Sequence, residues 1–177
     1  IAKALQVTTT NIHYHFGNKN NLVEIVVSEY VAEAKKNQSA IWLDKTTTLE
    51  QKVSNVVAYN YQLYKKYNPD GEGCHPWSLI GRLRLEKDVL TEEMCRSLAS
   101  FTQLMQDVIG QAVEYAWQQG QLKADTPRQD LILLLTHLVD SSSVFAQDSG
   151  SFSRLEQFFN AFCRVVLSMY MVKPSAN

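Results

Sequence analysis

The sequence predicts an all-α protein. From about residue 20 onward, apolar residues recur three or four positions apart, the spacing that places them on one face of a helix. Several of these stretches begin with a residue that caps helices well, namely Asn18, Thr48 and Thr91. Only 7 Gly and 4 Pro occur in 177 residues, so few positions would interrupt long helices.

The composition is that of a globular protein, with 45% hydrophobic and 20% charged residues. No window holds the roughly 18 consecutive apolar residues that a membrane span needs, and the start lacks the pattern of a signal peptide. We therefore expect a cytoplasmic protein without membrane contact. The three cysteines, Cys74, Cys95 and Cys163, lie far apart and are expected to be reduced thiols, not disulfides or metal ligands.

The net charge of −1 is unevenly distributed along the chain. Residues 1–23 contain Lys3 and Lys19 and no carboxylate, so the remainder of the chain is acidic. A small basic tip on an acidic body argues against a protein that coats nucleic acid over its whole surface. It suits a protein that touches a polyanion at one end.

Start signals and apolar stripes define the predicted helices of the body. Asn18 is expected to cap one helix, and Thr48 with Gln51 has the spacing of a capping box that opens another. A short helix is expected from Trp77 to about Glu86, and a long one from Thr91 to near Gly120. The long helix carries an apolar stripe at a period of about 3.6 residues: Met94, Leu98, Phe101, Met105, Val108, Ile109, Ala112 and Ala116.

The last two predicted helices, at residues 127–147 and 153–171, are apolar over more of their circumference than one buried face requires. Ser153 and Glu156 have capping-box spacing at the start of the second. Either this hairpin forms the centre of the protomer, or it buries one side in the protomer and the other in a partner. We favour the partner, because terminal helices rarely find enough cover within a chain of this size. The expected dimer interface is Leu131, Leu134, Leu135, Leu138, Phe158, Phe159, Phe162 and Val166.

Residues 1–27 are the most informative stretch for function. If the segment after Val7 is helical, Thr8 can cap it, and Ile12 and Phe16 share its inner face. The outer face is then polar and without a carboxylate, so it could approach phosphates and base edges without repulsion. It would consist of Thr9, Thr10, Asn11, Tyr14 and His15. Apolar and polar residues also alternate along this segment, as they do in a half-buried strand. The pattern alone therefore does not decide between helix and strand.

The stretch resembles the helix-turn-helix of the tetracycline-repressor (TetR) family, which favours the helix. Gln6 stands where the turn of that family usually has glycine or another small residue, and a left-handed turn is costlier there. His13 stands where the family usually has tyrosine. The resemblance implies that a first helix and most of a second are missing before Ile1. The matching residues are Ile1, Ala2, Val7, Thr8, Ile12, Tyr14, His15, Phe16, Gly17, Asn18, Lys19 and Leu22.

The same resemblance implies a partial helix-turn-helix at residues 1–25, followed by a helical ligand-binding and dimerisation domain at residues 26–173. The implied function is that of a transcriptional regulator, a homodimer on palindromic double-stranded operator DNA. As a repressor it would leave the operator when an unknown small-molecule effector binds. By carry-over, the base-reading residues are Thr8, Thr9, Thr10 and Asn11, and the phosphate-contacting residues are Tyr14, His15 and Lys19. Without the resemblance, the same side chains are ordinary caps and surface residues.

An effector pocket is expected among aromatic, methionine and histidine side chains of the body. The candidates are Tyr64, Trp77, Phe101, Met105, Trp117, His137 and Phe145. These residue types at helical spacing are core filler more often than pocket walls, so a purely structural role is the alternative for each.

Two other classes of protein compete with the regulator. An enzyme would need converging catalytic groups, and the sequence has no nucleophile elbow and no phosphate-cradling glycine loop. We therefore expect no enzyme, and neither a cofactor nor a metal. The second alternative is a helical dimeric protein-interaction module without DNA binding. It predicts no salt-dependent affinity for DNA, whereas the regulator predicts a steep one.

Overall fold

The structure, a computed structural model, describes residue 6 and residues 8–70 and 72–172, with side chains except at positions 9, 12, 13 and 147–149. Within these ranges the chain is helical, and its only β-structure is two isolated bridges. The α-helices are α1 (Thr9–Phe16), α2 (Lys19–Trp42), α3 (Leu49–Tyr67), α4 (Leu79–Leu85), α5 (Glu92–Gln118), α6 (Arg128–Ser149), α7 (Ser153–Phe162) and α8 (Ser168–Tyr170). A 3-10 turn at Lys87–Val89 follows α4. The all-α prediction is confirmed.

The predicted caps of three helices are confirmed, which explains why these helices begin where they do. Asn18 Oδ1 accepts a hydrogen bond from the amide of Asn21 at 2.9 Å, at the start of α2. Thr48 Oγ1 accepts from the amide of Gln51 at 3.2 Å, while Gln51 Oε1 accepts from the amide of Thr48 at 2.8 Å. Thr91 caps α5 in the same way. Each cap stabilises its helix by about 1 kcal/mol.

Helix α5 lies at the centre of the body, packed against α2 on one side and α6 on the other. Every residue of its predicted stripe, from Met94 to Ala116, is buried. Burying one such large apolar side chain contributes about 1.5–3 kcal/mol, so this stripe contributes strongly to the stability of the body. The short helix α4 was predicted at residues 77–86 and spans Leu79–Leu85, capped by Ser78 Oγ, which accepts from the amide of Gly81 at 3.1 Å.

The last predicted helix differs from a continuous α-helix. Helix α7 ends at Phe162, residues Cys163–Leu167 form a π-helical segment, and α8 follows. The expected capping box of Ser153 with Glu156 is wrong, because the helix begins one residue earlier than that box requires. Phe152 is the cap residue, in helical conformation and without a capping side chain. The hydroxyl of Ser151 instead accepts from the amide of Ser153 at 3.2 Å.

The end of the described chain is tied to the loop between α5 and α6. The amide of Lys123 donates to the carbonyl of Tyr170 at 2.8 Å, and the amide of Val172 donates to that of Gln121 at 2.9 Å. The Lys123 ammonium also donates to the carbonyl of Met169 at 2.6 Å. The bonds to Met169 and Tyr170 satisfy carbonyls that the end of α8 otherwise leaves without partners.

The length and apolar character of the helices bear on the expectation that no segment spans a membrane. No helix in the described ranges combines the length and the apolar character that crossing a bilayer requires.

Candidate functional site

The segment that could have been helix or strand is a helix, α1. Its start is fixed by Thr8, whose Oγ1 accepts a hydrogen bond from the amide of Asn11 at 3.1 Å, as predicted. Gly17 ends it in the left-handed conformation, with φ +72°, and Asn18 then opens α2. Helix α1 is therefore joined to α2 by a two-residue turn.

Gln6, in the turn before α1, also has a left-handed backbone, with φ +55°. This is the position at which a glycine-type turn was expected. A non-glycine residue in this conformation costs about 1 kcal/mol. Gln6 therefore has the left-handed backbone expected at this position despite its unfavourable residue type.

Among the described side chains of α1, Phe16 is partly buried and the others project into solvent. The candidate DNA-contacting residues Thr8, Thr10, Asn11, Tyr14, His15 and Lys19 are all exposed. Tyr14 is the most exposed large apolar residue of the described chain, at 84%. Its ring lies 5.4 Å from that of His15 in an edge-on arrangement. The side chain of Thr9, the seventh candidate, lies outside the described residues. DNA contact by all seven stays a prediction.

Helix α2 connects this exposed tip to the body without a break from Lys19 to Trp42. The predicted domain boundary between residues 25 and 26 falls inside this helix and stays a prediction. Further along, Tyr30, Ala34 and Gln38 lie on the face of α2 that lines a small, partly open cavity. Tyr30 lies eleven residues from Lys19, or about 16 Å along the helix. A movement of α2 at the cavity would therefore move α1.

The cavity lies between α2 and α6 and has a volume of about 60 Å³. Its space fits only a few water-sized groups and is far below the roughly 300 Å³ of pockets for drug-sized ligands. Its walls come from five helices and the loop before α4, and include Tyr30, Asn60, Trp77, Arg84, Phe101 and Asp140.

Two charged side chains face each other at this cavity. Arg84 Nη1 lies 3.0 Å from Asp140 Oδ1, with side chains that are 22% and 18% exposed. The angles of this contact are not those of a hydrogen bond, so the partner of the buried Oδ1 is the Arg84 charge. Arg84 Nη2 donates instead to Thr102 Oγ1 at 2.9 Å, and the guanidinium lies 5.8 Å from the Phe101 ring.

Tyr30 supplies a further polar group to the wall. Its hydroxyl accepts a hydrogen bond from the amide of Leu79 at 3.4 Å, so it links α2 to the first residue of α4. Burial raises the pKa of the Tyr30 hydroxyl above its ordinary value of 10.0, and the bond from Leu79 lowers it in part. The hydroxyl is therefore neutral at pH 7 and serves as a fixed hydrogen-bonding group.

The seven predicted pocket residues do not lie together. Trp77 and Phe101 line the cavity, but Tyr64 and Met105 are fully buried in the core. Trp117 lies under the guanidinium of Arg128, whose carbon is 4.1 Å from the ring centre. His137 and Phe145 are exposed on α6. The polar wall residues, Arg84 and Asp140 above all, were not among the candidates. A carboxylate in the middle of α6, directly after Leu138 and Val139, was the signal that could have indicated Asp140.

The eight predicted interface residues divide into two groups. Four of them are buried within the protomer and have almost no accessible surface for contact with a partner, namely Leu131, Leu135, Leu138 and Phe159. Leu134 and Phe158 are exposed, at 48% and 44%, and Phe162 and Val166 are half-buried. A groove on α6 and α7 contains Leu134, His137, Leu138, Phe145, Phe158 and Phe162. We call this groove the terminal face. The rings of Phe145 and Phe158 lie 5.0 Å apart in it.

The solved structures that are similar to this one include three bacterial proteins. E. coli NemR in its reduced form matches with a TM-score of 0.72 at 16% identity, over 99% of this chain and 86% of that one. Regulatory protein TetR from Rhodobacter sphaeroides matches with a TM-score of 0.73 at 19% identity, over 92% and 84%. A TetR-family transcriptional regulator from Agrobacterium tumefaciens matches with a TM-score of 0.75 at 19% identity, over 97% and 84%.

The chain has the TetR-like fold. No family model and no curated protein matches the sequence, so this likeness is one of structure. In the TetR-like fold of this chain, α1 lies at one end, and the cavity lies in the body. No group of three or more histidine, cysteine or acidic side chains in the described part of the chain is placed to hold a metal.

Proposed function

We propose that the protein is a ligand-responsive DNA-binding transcriptional regulator that acts in the cytoplasm. One observation carries the proposal. An exposed, polar helix without carboxylates is joined through a two-residue turn to a helix that also lines a small cavity in the body. The first feature suits contact with DNA, and the second offers a physical route by which a bound molecule alters that contact.

The proposed DNA contacts follow from the exposure of α1. Thr8, Thr9, Thr10 and Asn11 belong to its N-terminal end, which recognition helices direct at base edges in the major groove. Tyr14, His15 and Lys19 would donate hydrogen bonds to phosphates. Since residues 8–23 contain no Asp or Glu, no carboxylate of α1 itself repels the phosphate backbone.

The proposed active species is a homodimer that pairs through the terminal face. Exposed Leu134, Phe145 and Phe158 lie on two adjacent helices, where a second copy would cover them. A twofold dimer presents two copies of α1, and two half-sites of a palindromic operator lie about 34 Å apart. A small change in the separation of the two α1 helices would therefore weaken binding.

In the proposed mechanism, the DNA-bound state is the state without ligand, as in a repressor. A small molecule in the cavity contacts Tyr30 and the adjacent surface of α2 and favours a different position of that helix. Because α2 is continuous, the change at the cavity reaches α1 and lowers the affinity for the operator. The coupling is reciprocal, so operator DNA lowers the affinity for the ligand by the same factor.

The test is DNA binding by the protein as its gene encodes it, measured by fluorescence anisotropy on the DNA upstream of that gene at several salt concentrations. We expect tight, sequence-preferring binding that weakens steeply with salt. Tyr14→Ala and Lys19→Ala should weaken this binding. Lys19→Ala should also reduce the slope of log affinity against log salt concentration by about 1, because one charged group no longer neutralises a phosphate. Lys36→Ala, at an exposed position farther along α2, is the matched control and should bind like the wild type.

The outcomes separate the regulator from its alternative. If the upstream DNA is bound no better than random duplex, the protein does not regulate its own gene, and a genomic library is screened next. Failure to enrich any sequence from that library would reject the regulator. The helical interaction module without DNA binding would then be favoured.

A further inference from the structure

A second pocket opens on the surface of the body, between α4 with its 3-10 turn and the first half of α5. Its volume is about 350 Å³, within the range of pockets for drug-sized ligands. None of its described lining residues is acidic, and two are cationic. We call it the basic pocket, formed around Arg84, Lys87, Leu90, Leu98 and Ala99.

Arg84 separates the basic pocket from the small cavity, because its side chain lines both. Asp140 lines the cavity and does not line the basic pocket, and its Oδ1 is buried beside Arg84 Nη1. On the other side, Arg84 Nη2 donates to Thr102 Oγ1, a residue of the basic pocket. A molecule in the basic pocket therefore meets the guanidinium, and the Asp140 carboxylate lies behind it.

Lys87 is the second cation of the basic pocket. It is exposed on the 3-10 turn, and its ammonium group makes no hydrogen bond or ion pair with a described residue. The carboxylate of the preceding residue, Glu86, is held by Arg82 at 2.6 Å. Asp88 is exposed and does not line the pocket. The Lys87 charge is therefore available to a ligand.

These charges favour a ligand with one negative charge. The positive charge of Arg84 is balanced by Asp140, whereas that of Lys87 is not balanced within the basic pocket. A monoanion neutralises the remaining positive charge. A cation is repelled by Lys87, and a second negative charge on the ligand would have no cation to balance it.

The rest of the wall requires an apolar part in the same ligand. Leu98 is 6% exposed and forms the inner side of the pocket, with Leu90 and Ala99 beside it. An inorganic anion would leave this apolar surface in contact with water. An apolar group attached to the anion covers the surface and gains the free energy of its burial.

We infer that the basic pocket binds a monocarboxylate with a compact apolar group, such as an aryl ring or a short alkyl chain. The carboxylate accepts hydrogen bonds from Lys87 and lies against the guanidinium of Arg84, and the apolar group packs on Leu90, Leu98 and Ala99. This site is distinct from the cavity of the proposed mechanism, and binding to it requires no DNA.

The test uses alkylation of Cys95, whose exposed thiol lines the basic pocket. A bound molecule should slow its reaction with iodoacetamide, and peptide mass spectrometry gives the rate at each cysteine. Cys74 is also exposed but does not line the pocket, so it is the internal control. The probes are phenylacetate, its neutral amide phenylacetamide, the cation 2-phenylethylammonium, and acetate, which lacks the apolar group.

We expect phenylacetate to slow the reaction of Cys95 and to leave that of Cys74 unchanged. Its dissociation constant, from the dependence of the Cys95 rate on concentration, should be about tenfold lower than that of phenylacetamide, because hydrogen bonds to a charged group are stronger. 2-Phenylethylammonium should bind more weakly than the amide, since it is repelled by Lys87. Acetate should bind about tenfold more weakly than phenylacetate, because it covers none of the apolar wall.

Substitutions of exposed residues locate the binding. Lys87→Gln should weaken phenylacetate binding about tenfold and leave phenylacetamide binding unchanged. Lys66→Gln makes the same change of net charge at an exposed position on α3 and should bind like the wild type. Ala99→Phe, which fills the pocket from an exposed position on α5, should abolish the effect of phenylacetate on Cys95. Gln106→Phe, exposed on the same helix, is its control.

The inference is overturned if phenylacetate slows Cys95 no more than Cys74, or if phenylacetamide or acetate binds as tightly as phenylacetate. It is also overturned if Lys87→Gln and Lys66→Gln bind phenylacetate equally well. Failure of the proposed function is a separate result. A protein that binds phenylacetate beside Cys95 but enriches no DNA sequence loses the regulator and keeps the carboxylate site.

Discussion

Tyr64 holds the loop that carries Trp77 to the cavity. It is fully buried on α3, and its hydroxyl donates to the carbonyl of Gly73 at 2.8 Å. Its ring lies 5.3 Å from that of Phe152, at the start of α7. Burial raises the pKa of the Tyr64 hydroxyl above its ordinary value of 10.0. Tyr64, which was expected to line a pocket, instead fixes the position of Trp77, which does line the cavity.

Tyr64→Phe should lower the free energy of unfolding by about 1 kcal/mol at pH 8, because the carbonyl of Gly73 loses its partner. The Tyr64 hydroxyl has a higher pKa in the folded protein than its ordinary value of 10.0 in the unfolded chain. Its contribution to the free energy of unfolding is therefore fully present below pH 10.0 and is lost as the pH rises through the folded-state pKa. The difference between wild type and variant should therefore be constant up to about pH 9 and shrink above it. Urea unfolding over this pH range measures it.

Tyr67→Phe is the matched control for this prediction. Tyr67 lies on the same helix but is 45% exposed. Its replacement should leave the free energy of unfolding within about 0.5 kcal/mol of the wild type, as surface substitutions usually do. A difference for Tyr64→Phe that grows above pH 10 would show that the assigned pKa direction is wrong.

At the scale of single residues, sequence patterns predicted what depends on near neighbours in the chain. The caps at Thr8, Asn18 and Thr48 involve residues three positions apart, so their types alone define them. The pair of Arg84 with Asp140 could not be predicted in this way. It joins α4 to α6, and only the packing of those helices brings the two charges together.

Among the elements, α4 approaches α6 closely at a glycine. A Cβ on Gly81 would lie 2.0 Å from Oγ and 3.1 Å from Cβ of Ser143. Gly81 and Ser143 both line the cavity. The absence of a side chain at Gly81 therefore sets the distance between the helices that carry Arg84 and Asp140.

Gly81→Ala should destabilise the protein by about 1–2 kcal/mol, because the overpacking exceeds the gain in helix propensity. Gly110→Ala is the control: a Cβ there meets only Ile132 Cδ1, at 3.9 Å, so propensity should stabilise the protein by about 1 kcal/mol. Thermal unfolding of the two variants and of Gly81→Ala/Ser143→Ala measures these effects. The double variant should recover part of the loss, and equal stabilisation by both alanines would refute the close approach.

Most of the helices could be predicted from the sequence, and the exception is the π-helical segment near the end of the chain. The period of about 3.6 residues is a local property of the sequence, so the stripe of α5 indicated both the helix and its buried face. The π-helical segment at Cys163–Leu167 adds a residue to a turn without a change in residue type that indicates it. This segment was therefore seen in the structure and could not be predicted from the sequence.

At the scale of the molecule, the terminal face is the apolar surface proposed to pair two protomers. Phe158→Glu places a charge beside Phe145 in this face. We expect it to raise the dissociation constant of the homodimer by more than about tenfold in sedimentation equilibrium. Val89→Glu, at a position that is 74% exposed on the 3-10 turn, is the control and should remain dimeric. A wild type that is monomeric at micromolar concentration would reject the proposed interface.

The fold of the whole molecule was predictable because two signals agreed, the helical periodicity and the resemblance of residues 1–27 to the helix-turn-helix of the TetR family. The location of the cavity was not predictable. Aromatic residues at helical spacing occur both in the core, as Tyr64 does, and on a cavity wall, as Trp77 does. The sequence pattern is the same in both cases, and only the arrangement of five helices distinguishes them.

The central claim is that the cavity and α1 communicate through α2, and a substitution on α2 tests it most directly. Ala34 is half-buried on the cavity wall, while Ala32 is exposed on the same helix. Ala34→Leu fills part of the cavity as a ligand would, so operator affinity in anisotropy titrations should fall about tenfold. Ala32→Leu should bind like the wild type. If Ala34→Leu folds and binds the operator with wild-type affinity, the proposed coupling through α2 is contradicted.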